Sequence, residues 1–113
     1  MSRITETARN VYHQEMAAAT TAPTAQARWT HLERAHIVSQ PDPWLHTRNH
    51  VAMFSLALHQ RDRREAFGQV LRIIVAAPGS LTGRYPEGNT GRVAAGLLTP
   101  MPIPADLATT LFR

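Results

Sequence analysis

The sequence predicts an all-α protein, a small four-helix up-down bundle with a Pro/Gly-rich C-terminal extension packed on it. Apolar residues recur at helical spacing over the first two thirds of the chain, and short polar or proline-containing segments separate these stretches. From residue 78 onward, proline and glycine become frequent. A chain of 113 residues can build one hydrophobic core but not two. We therefore expect a single domain over residues 1–113, with the bundle over about 3–77 and a wrapping segment over 78–113.

The first predicted helix covers residues 3–20, where apolar side chains at intervals of three and four form an amphipathic stripe. Ser2 or Thr5 can cap its amino end. Glu15 falls inside the stripe, and a carboxylate that faces a core needs a polar partner. The alternative is that Glu15 lies at the edge of the stripe and reaches water, as most glutamates do.

The second predicted helix begins at Pro23 or Thr24, because proline is tolerated in a first turn, and it ends near Ser39. His31 points about 100° away from the centre of its apolar face, so His36 is the better candidate for burial. The face consists of Ala25, Trp29, Leu32, His36 and Ser39, with Glu33 and Gln40 at its margin.

The third predicted helix follows a proline-rich turn and ends near His59. Asp42 is a suitable N-cap and Pro43 a suitable first helical residue. Additional apolar residues widen its surface, so we expect this helix to be central in the bundle. Its principal face consists of His46, His50, Met53, Phe54 and Ala57.

A polar turn at residues 60–64, with Asp62 as a possible cap, precedes a fourth predicted helix that ends at Pro78-Gly79. Beyond it, short helical pieces are expected over about 92–98 and 105–112. The tail is too apolar to be disordered, so we expect it to wrap across the bundle or a partner subunit. The apolar residues of helix four are Phe67, Val70, Leu71, Ile74 and Val75.

Composition disfavours several classes of protein. All twelve basic residues are arginine and they are scattered, whereas a nucleic-acid binder more often carries a basic stripe with interleaved aromatics. No apolar run approaches the ~20 residues that span a bilayer, and the amino terminus lacks a signal-peptide pattern. Cysteine is absent, which excludes disulfides and thiolate metal sites. We expect a cytoplasmic protein with no membrane partner.

Four residues are candidate metal ligands. Glu33 and His36 lie three apart on the second predicted helix, and His46 and His50 lie four apart on the third. Residues at those spacings share one side of a helix, and a short turn makes consecutive helices antiparallel neighbours. One carboxylate and three imidazoles are therefore predicted to converge. Such ligands suit zinc, iron, manganese, nickel or cupric copper, so we expect a transition-metal site.

The predicted metal site is compatible with several functions. Glu15, His31 or Gln40 can supply supplementary groups, and His31 is a ligand only if it faces a second subunit. An open coordination position would permit metal-assisted hydrolysis or redox chemistry, while sequestration or sensing needs none. One alternative is a non-metal interaction module with a buried His-Glu hydrogen-bond network, whose apolar tail mediates homodimerisation. Another is a small enzyme that uses histidine and glutamate as acid and base.

The segment Gly88-Asn89-Thr90-Gly91 is a second candidate site. Its glycines permit positive φ, and exposed N–H groups before a helix can hold an anion. The preferred interpretation is a turn that locks the tail onto the bundle, because Asn and Thr bond readily to local backbone.

Several strings of this chain resemble a small bacterial family of unknown function. The resemblance covers about Trp29 to Leu107. It carries no established activity. The resemblance implies genes that accompany heavy-metal resistance clusters, and therefore a role in metal handling or resistance. The strings are His31-Leu32-Glu33-Arg34-Ala35-His36, then Gln40, His46 and His50, then Gly88-Asn89-Thr90-Gly91 and Met101-Pro102-Ile103-Pro104.

Overall fold

The computed structural model describes residues 4–111, and these residues form five α-helices and no strand, which confirms the all-α prediction. Among them, α1 packs on α2, α2 on α3 and α3 on α4, while α5 contacts α1 and α2. No described helix combines the length and the apolar character needed to cross a bilayer. The helices are α1 (Glu6–Thr21), α2 (Ala25–Ser39), α3 (Pro43–His59), α4 (Arg63–Thr82) and α5 (Ala105–Leu111), with a 3-10 turn at Val93–Ala95.

Side-chain caps begin the four long helices. Thr5 and Thr24 each accept a hydrogen bond from the backbone N–H three residues further on, at 3.0 and 3.1 Å. Asp42 and Asp62 cap α3 and α4 in the same way. Each cap satisfies backbone donors that the first helical turn leaves free, and so fixes where the helix starts. The predicted caps Thr5, Asp42 and Asp62 are confirmed, whereas Ser2 lies outside the described residues.

Two apolar clusters hold the helices together. The first joins α1, α2, the start of α3 and α5, where Leu107 is buried. The second joins α1, α2, α3 and the start of α4 around the fully buried Met53. The first consists of Ala8, Tyr12, Ala35, Ile37, Val38, Leu45 and Leu107, and the second of Ala19, Trp29, Leu32, Met53, Ala57 and Ala66.

Helix α4 turns a polar face inward and an apolar face outward. Six of its large apolar residues are exposed, from 40% at Val75 to 81% at Phe67. An amphipathic helix ordinarily buries such a stripe. The buried positions of α4 instead follow each other at intervals of one, three or four residues and are mostly polar: Glu65, Ala66, Gln69, Arg72, Ala76 and Ser80. The interior of the molecule next to α4 is therefore built around hydrogen bonds.

Helix α4 also continues to Thr82, so the prediction that it ends at Pro78-Gly79 is wrong. Proline removes one backbone donor from the helix, and the contacts beyond it outweigh this loss. Ser80 is buried and its hydroxyl donates to the carbonyl of Gln40. The helix ends at Gly83, whose φ of +72° lets the next N–H reach the carbonyl of Gly79 at 2.9 Å.

Candidate metal centre

Three histidine rings meet between α2, α3 and α4. His36 comes from the last turn of α2, and His46 and His50 come from adjacent turns of α3. Their exposed fractions are 3%, 6% and 3%. Each Nε2 atom lies 3.1 Å from the other two. The predicted convergence of imidazoles from two neighbouring helices is confirmed.

The tautomer of His50 is fixed by Gln69. His50 Nδ1 lies 2.7 Å from Gln69 Oε1. The amide nitrogen of Gln69 donates to the Glu65 carboxylate at 2.9 Å and to the Gly91 carbonyl at 2.8 Å. Both of these groups only accept hydrogen bonds, so the amide oxygen must face the ring. His50 Nδ1 therefore carries the proton, and Nε2 presents a lone pair.

The tautomer of His46 is fixed in the same way by Ser80. His46 Nδ1 lies 2.8 Å from Ser80 Oγ. The hydroxyl proton of Ser80 is already donated to the carbonyl of Gln40, so the oxygen accepts from the ring. The carbonyl of Ala76 is a second acceptor beside the same ring. His46 Nδ1 therefore also carries the proton.

His36 is held by the C-terminal segment. Its Nδ1 lies 2.6 Å from the backbone carbonyl of Asn89, which can only accept. The Asn89 side chain binds the loop around it: the amide donates to three later carbonyls, and Oδ1 accepts from the N–H of Gly91 at 2.8 Å. The preferred interpretation of this segment, a turn that joins the tail to the helices, matches this arrangement. The turn also positions a ring of the triad.

Three lone pairs consequently face one another in a buried space. A shared proton would satisfy two nitrogens and leave the third without a donor, whereas one cation satisfies all three. Burial lowers the pKa of His46 to about 3 and of His50 to about 4, and it lowers the pKa of His36 well below its ordinary value. Neighbouring rings lower the pKa of His36 and His46 further. The rings are therefore neutral near pH 7, which is the form that binds metals.

The triangle of nitrogens has the size that a metal ion needs. With sides of 3.1 Å, its centre lies about 1.8 Å from each nitrogen, slightly less than the ~2.0–2.1 Å of a zinc–imidazole bond. An ion displaced by about 1 Å from the plane would reach that bond length. The three Nε2 atoms would then hold the ion and leave room for a further ligand.

Glu33, the fourth predicted ligand, lies apart from the three rings. Its Oε2 accepts from Arg92 at 3.2 Å, and burial raises the pKa of its carboxyl. Arg92 also binds Glu65 at 2.8 Å and stacks 3.6 Å from the ring centroid of Trp29. Among the described residues, the group that can hold one metal ion consists of the three histidines. Glu33 is linked to them through Arg92, Glu65 and Gln69.

The residues predicted to supplement the metal site, Glu15, His31 and Gln40, lie in two different parts of the structure. His31 Nδ1 lies 2.7 Å from Glu15 Oε1, and Arg34 binds the other Glu15 oxygen at 3.0 Å. Glu15 thus has the polar partners that its position required, but it binds His31 rather than the triad. Gln40 is buried beside the triad, where its amide donates to the Pro86 carbonyl at 3.0 Å.

Sequence reasoning missed three residues that orient the rings: Gln69, Ser80 and Asn89. Two of them belong to the buried stripe of α4, and the available signal was the recurrence of polar residues at helical spacing. The apolar residues of the opposite face concealed that recurrence. Asn89 acts through its backbone carbonyl, a group that every residue carries, so no sequence signal distinguished this contact.

A cavity of about 490 Å³ opens beside the triad. The three rings line it together with Gln40 and Arg72. Its other walls come from the second half of α4 and from the loop that follows, including Val75, Pro78, Arg84, Tyr85, Leu97 and Leu98. The three rings therefore form part of the wall of this cavity.

These features define a small all-helical protein with a buried histidine triad that could hold a metal ion. The chain belongs to the family described as protein of unknown function (DUF3703), whose model matches residues 6–111. The match confirms the resemblance to a family of unknown function, while its bacterial scope and characteristic strings stay predictions. No curated protein matches the chain, and no solved structure does.

A substitution at Gly91 tests how closely the loop packs against the His36 ring. A Cβ at Gly91 would lie 2.6 Å from His36 Cδ2, and the φ of +85° disfavours any other residue. We expect Gly91→Ala to reduce the free energy of unfolding by more than the ~1 kcal/mol that the backbone conformation alone costs. Urea denaturation measures this loss. The control is Gly83→Ala, at an exposed position with φ +72°. Equal losses in the two variants would contradict the contact with the ring.

Acid should destabilise the metal-free protein as soon as unfolded histidine begins to titrate. When folded, burial lowers the pKa of His46 to about 3 and of His50 to about 4, and it lowers the pKa of His36 well below its ordinary value, whereas unfolded histidine titrates at about 6.5. Below pH 6.5 the unfolded chain therefore binds more protons, and the free energy of unfolding falls by up to about 1.4 kcal/mol per pH unit for each ring. Urea denaturation between pH 7 and 5 measures the slope. We expect a smaller slope in His50→Gln, and a flat profile in the unaltered protein would contradict the neutral triad.

Proposed function

We propose that the protein binds one divalent transition-metal ion through the Nε2 atoms of His36, His46 and His50 and serves in handling such ions. One observation carries the proposal: each Nδ1 donates to an acceptor, so three lone pairs are fixed toward a common point. Hydrogen bonds of this kind to the outer ring nitrogen orient ligands in metalloproteins. An ordinary polar core would pair these nitrogens with donors instead.

The donor set narrows the choice of metal. Three neutral imidazoles without thiolate suit zinc, cupric copper, nickel, iron or manganese, and zinc is commonly bound by three histidines and one exchangeable ligand. Glu33 has a supporting role in this proposal, because Arg92 holds its carboxylate. The proposal also retains the expected cytoplasmic location and the up-down helix order with the tail packed on the helices.

Metal content tests the proposal directly. Protein purified without a histidine tag should hold about one zinc or cobalt ion per chain after loading and dialysis. At 100-fold excess of free metal over its dissociation constant, the ion should stabilise the fold by about 2.7 kcal/mol, visible as a higher melting temperature. Chelator should reverse the shift.

Matched histidine variants identify the ligands. His36→Gln and His50→Gln should lose the stoichiometric ion, with folding checked by circular dichroism. His13→Gln and His59→Gln alter exposed rings and should retain it. A folded protein that takes up no metal, or that keeps it in both triad variants, would contradict the proposal.

The exposed face of α4 favours homodimerisation as a second function. Its apolar residues extend along a helix of 20 residues, which is about 30 Å long. The described part of the chain measures 38 Å along its longest axis. A second copy, with its α4 antiparallel to the first, would cover the stripe along its full length and place identical patches against each other, as a two-fold dimer requires. Large exposed apolar patches commonly mark such interfaces.

Sedimentation tests the dimer. We expect the unaltered protein to sediment as a dimer at micromolar concentration and the double variant Phe67→Ser, Ile74→Ser to sediment as a monomer. Leu58→Ser, which removes an exposed leucine from α3, is the control and should stay dimeric. A monomeric unaltered protein would exclude this function without affecting the metal site.

A further inference from the structure

The cavity beside the triad has a positively charged lining. Its lining includes Arg72 and Arg84, and no Asp or Glu among the described residues. Arg72 is 7% exposed, whereas Arg84 is at the exposed rim. A buried guanidinium ordinarily has a carboxylate partner, because an unpaired buried charge is costly.

Arg72 has no such partner in the described part of the chain. The hydrogen bond that its guanidinium makes there runs from Nη1 to the Gly68 carbonyl of its own helix, at 3.0 Å. Burial lowers its pKa and the more distant Glu65 raises it. The guanidinium stays charged, since arginine is protonated throughout the physiological range. Its remaining donors are available to a ligand in the cavity.

A metal ion in the triad would add to this charge. Three neutral imidazoles leave the two positive charges of the ion uncompensated, and Glu65, the carboxylate behind His50, is already bound by Arg92. An ion displaced from the plane of the nitrogens toward the cavity would direct its fourth position at the cavity. A negatively charged group there would meet the ion and Arg72 together, which is a favourable arrangement in a buried site.

The volume and the apolar lining of the cavity indicate which kind of ligand it can hold beyond the charged group. About 490 Å³ is far more than a small inorganic anion fills, and it lies in the range of pockets that hold small organic molecules. Val75, Leu97 and Leu98 supply apolar surface to its lining. Such a pocket favours a ligand with one charged end and an apolar body.

We propose that the metal-loaded protein binds an organic carboxylate, with its carboxylate on the metal ion and on Arg72 and its apolar part against the walls of the cavity. This inference rests on the proposed function, because it uses the metal ion as one of the two anchors. It adds a class of ligand and assigns Arg72 as the residue that selects for negative charge.

Cobalt(II) is the spectroscopic probe for carboxylate binding in the cavity. Cobalt(II) takes the place of zinc in such sites, and its visible absorption changes when a fourth ligand is exchanged. The cobalt-loaded protein is titrated with acetate, butyrate, hexanoate and inorganic phosphate, and each dissociation constant is read from the spectrum. We expect hexanoate to bind more tightly than acetate, by up to about fourfold for each methylene group that becomes buried. Phosphate should bind more weakly than hexanoate.

Three arginine variants distinguish binding in the cavity from a general effect of positive charge. Arg72→Gln should hold cobalt in unchanged amount but weaken hexanoate binding by about tenfold or more, the effect of losing one charge-assisted hydrogen bond. Arg64→Gln is the control, because it removes the same charge from an exposed position on α4, and hexanoate binding should be unchanged. Arg72→Lys keeps the charge and should recover part of the affinity.

The outcomes distinguish this inference from the function on which it rests. Failure to bind cobalt contradicts the metal site itself. A cobalt-loaded protein whose spectrum does not respond to carboxylates, or whose affinity is equal in Arg72→Gln and Arg64→Gln, overturns the inference and leaves the metal site intact. Tighter binding of phosphate than of hexanoate overturns the assignment of an organic carboxylate.

Discussion

The structure depends on the hydrogen bonds that fix the outer nitrogen of each histidine in the triad. Each ring donates to a group that cannot donate back, and these groups come from separate places in the chain: Gln69 from the first half of α4, Ser80 from its second half, and Asn89 from the loop beyond it. The partners of Gln69 and Ser80 fix those acceptors in turn. The convergence of three lone pairs is thus a property of the whole fold.

The orientation of helix α4 follows from the need to place hydrogen-bond acceptors next to the histidine rings. A helix can direct one stripe of side chains toward its neighbours, and α4 uses that stripe for polar groups that contact the rings. Its apolar residues are consequently on the outside, where they lose the stabilisation that burial would give, about 1.5–3 kcal/mol for each large side chain. The exposed apolar stripe and the buried histidine site are two consequences of the same rotation of one helix. A subunit interface on α4 would recover part of the lost burial.

Local periodicity was sufficient to predict part of the site. The period of a helix places His46 and His50 on one side of α3, and the short turn after α2 brings His36 opposite them. The same reasoning placed Glu33 beside His36, but the partner of Glu33 is Arg92, 59 residues further along the chain. Such a contact depends on the path of the tail, which no helical period determines. The fold was predictable to the same extent: helix positions and caps follow from local signals, whereas the end of α4 depends on a tertiary bond from Ser80.

His36 connects the triad to the C-terminal segment. One of its nitrogens binds the carbonyl of Asn89 and the other faces the rings of α3, while Gly91 lies close to the same ring. Any cation held by the rings and any force that seats the loop therefore act on one side chain. By thermodynamic reciprocity, whatever factor loop docking adds to the affinity for the cation, the cation adds to loop docking. With a cation bound, docking of the segment around Asn89 would therefore depend on occupancy of the triad, and a change at the buried rings would alter the surface of the protein.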